Sequence, residues 1–216
     1  MSDFYPIMLK VGGKRCVVVG GGKVAERKTK MLLECNASVC VISPHLSPEL
    51  DRLLEERHIQ NVARDYCPGD LDGALLAVAA TDDPEINEQV SHEGREKGVL
   101  VNIADDLENS SFILPSALRR GDVVIAISTS GRSPALSRKI RTVLEQSYGV
   151  EYASLALLLS EVRSELRERG VHIDSDAWQE SLNIELLLNL LRKGKSEEAK
   201  RRLLSDLENS DRKSGQ

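Results

Sequence analysis

The stretch Cys16–Ser43, CVVVGGGKVAERKTKMLLECNASVCVIS, decides the fold. RCVVV before the glycines is continuous in apolar and β-branched residues and reads as a strand buried on both faces. Gly20, Gly21 and Gly22 interrupt it. From Val24 to Cys35, apolar residues at Val24, Ala25, Met31, Leu32 and Leu33 mark a helical stripe, which Asn36 ends. SVCVIS is a second strand. A strand, a glycine turn, a helix and a strand together make a nucleotide-binding unit.

Gly20-Gly21-Gly22-Lys23-Val24-Ala25 fits the G-x-G-x-x-G/A fingerprint. Gly20 makes the tight turn, Gly22 lets the backbone approach a pyrophosphate, and Ala25 permits close helix–strand packing. The helix N-terminus adds free N–H groups and partial positive charge. Gly20, Gly22, Lys23 and Val24 are therefore expected to hold the phosphates of a dinucleotide. The fingerprint follows a strand and opens a helix, which is the context it requires.

One part is missing. An acid normally ends the second strand and takes the ribose hydroxyls. Here Ser43, Pro44 and His45 stand in its place. The Ser43 hydroxyl, which both donates and accepts, and the backbone near Pro44 and His45 are expected to meet the ribose. No arginine stands there to pair with a 2′-phosphate. These residues leave NAD against NADP open, leaning to NAD.

Further along, SPELDRLLEERH is a helix opened by Ser47 and Pro48. NVARDY is expected as a third strand, and GALLAVAATDD as a fourth that ends near Thr81. A helix from Pro84 closes at Gly98, and VLVNIAD is a fifth strand. The alternation predicts an α/β fold, a Rossmann-type doubly wound parallel sheet. After Asp106 the rhythm changes. SFILPS and DVVIAIST read as short strands separated by ALRRG, and SGRSP leads into the basic helix ALSRKIRTVLEQ. From Tyr148 onward the chain reads as helices: EYASLALLLSEVRSELRERG, DAWQESLNIELLLNLLRKG and SEEAKRRLLSDLEN. SDRKSGQ is expected to fray. Three regions follow: a nucleotide domain over 1–110, a β-linked middle region over 111–147 and a helical C-terminal region over 148–216.

The totals exclude several classes. Aromatic residues make up 3% of the 216, too few for modules that stack bases. The net charge of −5 does not advertise nucleic-acid binding. No apolar run reaches the roughly 20 residues that span a bilayer, and the N-terminus lacks a signal-peptide pattern. A cytoplasmic protein is expected. The four cysteines show no zinc spacing, and Cys16 and Cys40 sit in apolar runs where a thiol packs as a small hydrophobe. The four histidines share no spacing, so no stable metal site is expected.

Two places carry chemistry. Asp105 ends the fifth strand, and ligands of open parallel sheets bind at the carboxyl ends of strands. Thr81 is expected to border the cofactor and Asn102 either to hydrogen-bond it or to hold Asp105, with Asp82 or Asp83 capping the next helix. Against the overall acidity, Arg119, Arg120, Arg132, Arg138, Lys139 and Arg141 gather around one acid, Asp122. Ser128, Thr129, Ser130 and Ser133 add hydroxyls just ahead of a helix N-terminus, so this turn suits anionic substrate groups.

GGGKVAERK, LAVAATDD, VNIADD with SFILPS, and ISTSGRSPALSRKIR, in that order, resemble the precorrin-2 dehydrogenase / sirohydrochlorin ferrochelatase family, the siroheme-synthase N-terminal module in its standalone form. The resemblance covers roughly residues 1–150. It implies NAD-dependent oxidation of precorrin-2 to sirohydrochlorin. In some members it also implies chelation through transient contact with iron(II) or cobalt(II). It implies Asp105 as catalytic base, and binding of the tetrapyrrole carboxylates by Arg119, Arg120, Ser128, Thr129, Ser130, Arg132 and Ser133. It further implies a homodimer joined through the middle and C-terminal regions. The leucine stripes of the C-terminal helices agree with a buried face. The rival reading is a non-catalytic, dinucleotide-sensing regulatory module. Such modules typically keep the ribose-binding acid and have no use for a polycationic turn.

Overall fold

The computed structural model describes residues 3–214 and divides into two compact units, Met1–Leu114 and Pro115–Gln216. In the first unit, β1 (Arg15–Val19), β2 (Ser38–Ile42), β3 (Ile59–Val62), β4 (Leu76–Ala79) and β5 (Leu100–Ile103) form one all-parallel sheet in the order β3-β2-β1-β4-β5. The chain winds outward from β1 to β3, then returns to lay β4 on the other side of β1. That reversal opens a crevice at the carboxyl ends of β1 and β4.

The sheet is buried on both faces, as its apolar strands require. Cys16 and Val18 point to one side, with Val39, Val41 and Val78. There they meet α1 (Lys23–Leu33) and α2 (Pro48–Glu55) through Ala25, Leu32, Leu50 and Leu53. Val17 and Val19 point to the other side, with Ala77, Ala79 and Val101. That face is covered by Val90 and Ile86 of α3 (Pro84–Lys97) and by Tyr66 and Leu71 of the loop after β3. Cys16 and Cys40 are buried in these layers as expected. Burial, with a smaller contribution from nearby Cys35, pushes the Cys16 thiol up to about 11, so it stays an unreactive apolar group.

Two helix starts carry side-chain caps. The Ser47 hydroxyl accepts from the Leu50 N–H, and Asp83 accepts from the N–H groups of Glu85 and Ile86. Each is followed by proline in the first turn, where a missing donor costs nothing.

In the second unit, β6 (Ser116–Arg120) and β7 (Val123–Ile127) pair antiparallel, and α4 (Pro134–Ser147) follows. Helices α5 (Glu151–Glu168), α6 (Ser175–Ser181), α7 (Ile184–Arg192) and α8 (Ser196–Ser214) share a core of Leu155, Leu158, Val162, Leu187, Leu203 and Leu207. Arg163 lies over the Trp178 ring, 5.2 Å from its centroid. Among the described residues no helix is long and apolar enough to cross a membrane.

Four local expectations shift. β3 begins at Ile59 and ends at Val62, so Arg64 to Tyr66 are loop. The strand expected at SFILPS lies at Ser116–Arg120 instead, because Ser111 and Phe112 are taken up by the first unit. The Ser111 N–H donates to the Val101 carbonyl at 2.7 Å, and Phe112 packs on the sheet core. The single helix expected from Asp176 breaks between α6 and α7, where the Asn183 side chain caps the new start by accepting from the Leu186 N–H. The expected frayed tail begins too early, since α8 continues to Ser214; Gly215 and Gln216 lie outside the described residues.

Candidate functional site

The crevice is a cleft of about 490 Å³. Its walls are the glycine turn after β1, residues 42–45 at the end of β2, Asp65 and Tyr66 beyond β3, and residues 80–83 beyond β4. It gathers Gly20, Gly22, Lys23, Val24, Ser43, Pro44, His45 and Thr81 from their separate places in the chain. Asn102 and Asp105 do not line it.

The glycines divide the labour. Gly20 has φ +110, and a side chain there would collide with the Ala80 carbonyl. Gly21 is tighter still: an added Cβ would run into the His45 carbonyl and approach the Ser43 Oγ at 2.7 Å. The β2–α2 loop lies directly across it, with the Ser47 N–H donating to the Gly21 carbonyl at 2.8 Å. Gly22 is the opposite case. A Cβ there would meet no protein atom within 4 Å. Gly22 is also the N-cap of α1 and offers no side-chain acceptor to the helix's first N–H groups. Open space before uncapped donors fits the approach of a pyrophosphate.

Ser43 serves differently from expectation. Its side chain is buried, donates to the His45 carbonyl at 2.7 Å and accepts from the His45 N–H at 3.4 Å. The hydroxyl thus shapes the loop that crosses Gly21. Thr81 likewise orders its own loop, donating to Asn87 Oδ1 at 2.9 Å and accepting from the Asp83 N–H at 3.2 Å. Asn102 is buried, and its amide donates to the Phe112 carbonyl at 3.0 Å, tying β5 to the segment that follows.

Asp105 stands just past the tip of β5, exposed, in the left-handed region at φ +61. Such a backbone costs an L-residue about 1–2 kcal/mol, and aspartate is among the few that visit it routinely. Its neighbour Asp106 folds the turn. Hydrogen bonds from the Asn109 side chain at 2.8 Å and the Asn109 N–H at 3.1 Å hold the Asp106 carboxyl below the usual range. Lys28 on α1 lies within electrostatic reach of Asp105. Burial and then Arg27 pull the Lys28 ammonium down, and Asp105 pulls it back up.

Sequence reasoning missed Asp65 and Tyr66. The signal was the parallel pairing of β3 with β2, which brings both carboxyl ends to one crevice. The loop carrying them is fixed from below by Glu93 of α3. That buried carboxylate accepts from the Tyr66 hydroxyl, from the Gly69 N–H at 3.0 Å, from the Leu71 N–H at 3.3 Å and from Lys97 at 2.9 Å. Burial opposes its charge, but these donors together hold the Glu93 carboxyl below its ordinary value.

In the second unit, the turn after β7 is self-satisfied. Ser130 and Gly131 are both left-handed, and the Arg132 N–H closes on the Thr129 carbonyl at 3.1 Å. Ser128 Oγ accepts from the Ser130 N–H, Thr129 Oγ1 from the Ser133 N–H, and Ser133 Oγ from the Leu136 N–H. Arg120 donates to the Tyr148 and Arg119 carbonyls. Arg119, Arg132, Arg138 and Lys139 are exposed. Along α4, Leu136, Ile140 and Val143 form an exposed apolar stripe at helical spacing.

Residues 7–116, just over half of the chain, match the family model described as "Putative NAD(P)-binding". Residues 120–147 match the sirohaem biosynthesis protein central family. The chain belongs to the putative NAD(P)-binding family that the first of these models describes. The siroheme synthase of Chromobacterium violaceum is 40% identical over 173 residues, 80% of this chain and 37% of that protein. That of Photorhabdus laumondii is 33% identical over 211 residues, 97% of this chain and 45% of that protein. The chain thus spans less than half the length of these curated relatives. A solved structure titled "SirC, precorrin-2 dehydrogenase" superposes with a TM-score of 0.70 at 25% identity, covering 95% of this chain and 100% of that one. Family membership and the open Gly22 cradle agree that the first unit takes a nicotinamide dinucleotide.

Proposed function

We propose that this protein is a cytoplasmic, homodimeric precorrin-2 dehydrogenase that uses NAD and yields sirohydrochlorin. The observation that carries the reading is the likeness to the structure titled precorrin-2 dehydrogenase, over 95% of this chain and 100% of that one.

The oxidation removes a hydride and a proton from the reduced macrocycle and leaves a new double bond. The bound nicotinamide supplies the hydride acceptor. Gly20, Gly22, Lys23 and Val24 hold the cofactor's phosphates, and Ser43, through the loop it shapes, sets the wall of the adenosine end. The Asp105 carboxylate takes the proton as general base, work typically worth about 10²–10⁴ in rate. Its left-handed backbone is a cost of the kind found where function fixes a side chain's direction. Asn102 holds β5 to the following segment and so positions Asp105.

Precorrin-2 is a polycarboxylate, so its site needs cations. Arg119 and Arg132 supply guanidinium groups for bidentate pairing. Ser128, Thr129, Ser130 and Ser133 hold the turn that presents Arg132, and Arg120 braces β6 against Tyr148. The exposed stripe Leu136–Ile140–Val143 is the seam of the homodimer, since an apolar row at helical spacing favours burial against a second copy.

The test is turnover. Purified protein given precorrin-2 and NAD is expected to form sirohydrochlorin, followed by its absorption spectrum. No product with either NAD or NADP would remove the proposal.

A further inference from the structure

The acid missing from the end of β2 leaves the adenosine end of the cleft without its usual selector. We infer that Asp65, on the loop beyond β3, fills that role and selects NAD over NADP. The inference rests on the reading of the cleft as a dinucleotide site.

The sheet brings Asp65 to the right wall. Ile42 of β2 and Val62 of β3 are register partners, and the Ser43 N–H donates to the Val62 carbonyl at 3.2 Å. Ser43 is one residue beyond its strand and Asp65 three beyond its own, so both emerge at the same edge. Neighbouring strands lie only about 4.8 Å apart, well within the reach of a side chain. Asp65 lines the cleft together with Ser43, Pro44 and His45.

Ser43 is unsuited to the task, because its hydroxyl is engaged by the His45 backbone. The other acids of the cleft, Asp82 and Asp83, follow β4 on the far side of β1, and Asp83 is committed to capping α3. Asp65 is the acid on the β2 side. Its backbone is held by its surroundings. Arg64 donates to the Asp65 carbonyl at 2.8 Å, and Tyr66 is buried with its hydroxyl on Glu93.

The same arrangement withdraws a cation. Arg64 adjoins Asp65 in the chain, and a free guanidinium there could welcome a 2′-phosphate. Its guanidinium instead grips both oxygens of Asp70 at 2.7 Å. A carboxylate carried on this held backbone, beside an arginine already paired with Asp70, can accept hydrogen bonds from adenosine donors and repels a phosphate dianion.

Direct binding of NADH and NADPH, without tetrapyrrole, tests this. A carboxylate and a dianionic phosphate about 7 Å apart across water repel enough to disfavour binding roughly tenfold. Wild type should therefore bind NADH more tightly than NADPH. In Asp65→Asn the preference should fall about tenfold, through tighter NADPH binding. Raising salt should erode the wild-type preference and leave the variant's unchanged. An unchanged preference in the variant, or a salt-independent one in wild type, overturns the inference while leaving the dinucleotide site standing. If wild type binds neither nucleotide, the reading of the cleft fails and this inference with it.

Discussion

Adding one methyl group at each of two adjacent glycines should separate packing from ligand binding. Gly21→Ala places its Cβ against the His45 carbonyl and the Ser43 Oγ, so the β2–α2 loop must move off. Overpacking of this kind costs about 1–3 kcal/mol. Losing the Ser47 N–H bond to the Gly21 carbonyl adds about 1 kcal/mol. The variant should be roughly 2–4 kcal/mol less stable, a large part of the 5–15 kcal/mol typical of a domain. Gly22→Ala puts its methyl into open space. It should cost only about 1 kcal/mol, as alanine is a poor N-cap. Its effect belongs to the ligand: the methyl occupies the approach of the pyrophosphate to the first N–H groups of α1. Losing one or two charge-assisted bonds of about 1.5–3 kcal/mol each weakens binding by one to two orders of magnitude or more. Urea unfolding and NADH titration on both variants give the four numbers. If Gly22→Ala binds NADH like wild type, or Gly21→Ala unfolds at the wild-type midpoint, the assignment of roles within the turn is wrong.

Asp105→Asn keeps a residue type that tolerates φ +61 but removes the base. Turnover should fall about 10²–10⁴-fold at unchanged NADH affinity, and near-normal turnover discards the role. Glu93→Ala strands buried donors of Tyr66, Gly69 and Leu71, and should cost about 3–5 kcal/mol in chemical denaturation. Because the folded Glu93 carboxyl sits below its unfolded value, its contribution is complete above the ordinary glutamate range near pH 4.3. It is lost as pH falls toward the depressed folded value. Wild type should therefore lose more stability than Glu93→Gln on acidification below about pH 5, and parallel profiles would contradict this. Replacing Leu136 and Ile140 together by glutamate should leave α4 folded and shift the protein to monomer in sedimentation, whereas an unchanged sedimentation coefficient refutes the seam.

The parallel sheet was legible because its strands are short, apolar and punctuated by helices with readable caps. Ser47-Pro48 and Asp83-Pro84 announce α2 and α3 as plainly in the sequence as in the structure. β3 was harder. As an edge strand it carries Gln60 and Asn61, so its apolar pattern is thin, and the eye is drawn onward to Arg64–Tyr66. SFIL misled in the other direction. Its hydrophobicity serves the sheet core of the first unit, while the hairpin is set by Gly121 at φ +57 between β6 and β7. At the site, the glycine turn was readable from spacing alone. The hydroxyls were not: Ser43 and Thr81 line the cleft, but pattern could not show that their bonds are spent on their own loops. Asp65 was hidden because its place depends on which strand neighbours β2, which only the sheet order reveals.

The most direct measurement is the stoichiometry of oxidation under anaerobic conditions, NADH formed against sirohydrochlorin formed, by wild type and by Asp105→Asn. The account predicts equal amounts of the two products from wild type, and almost none of either from a variant that still binds NADH. Sirohydrochlorin appearing without NADH, or neither product forming in a wild-type sample that binds the cofactor, would contradict it.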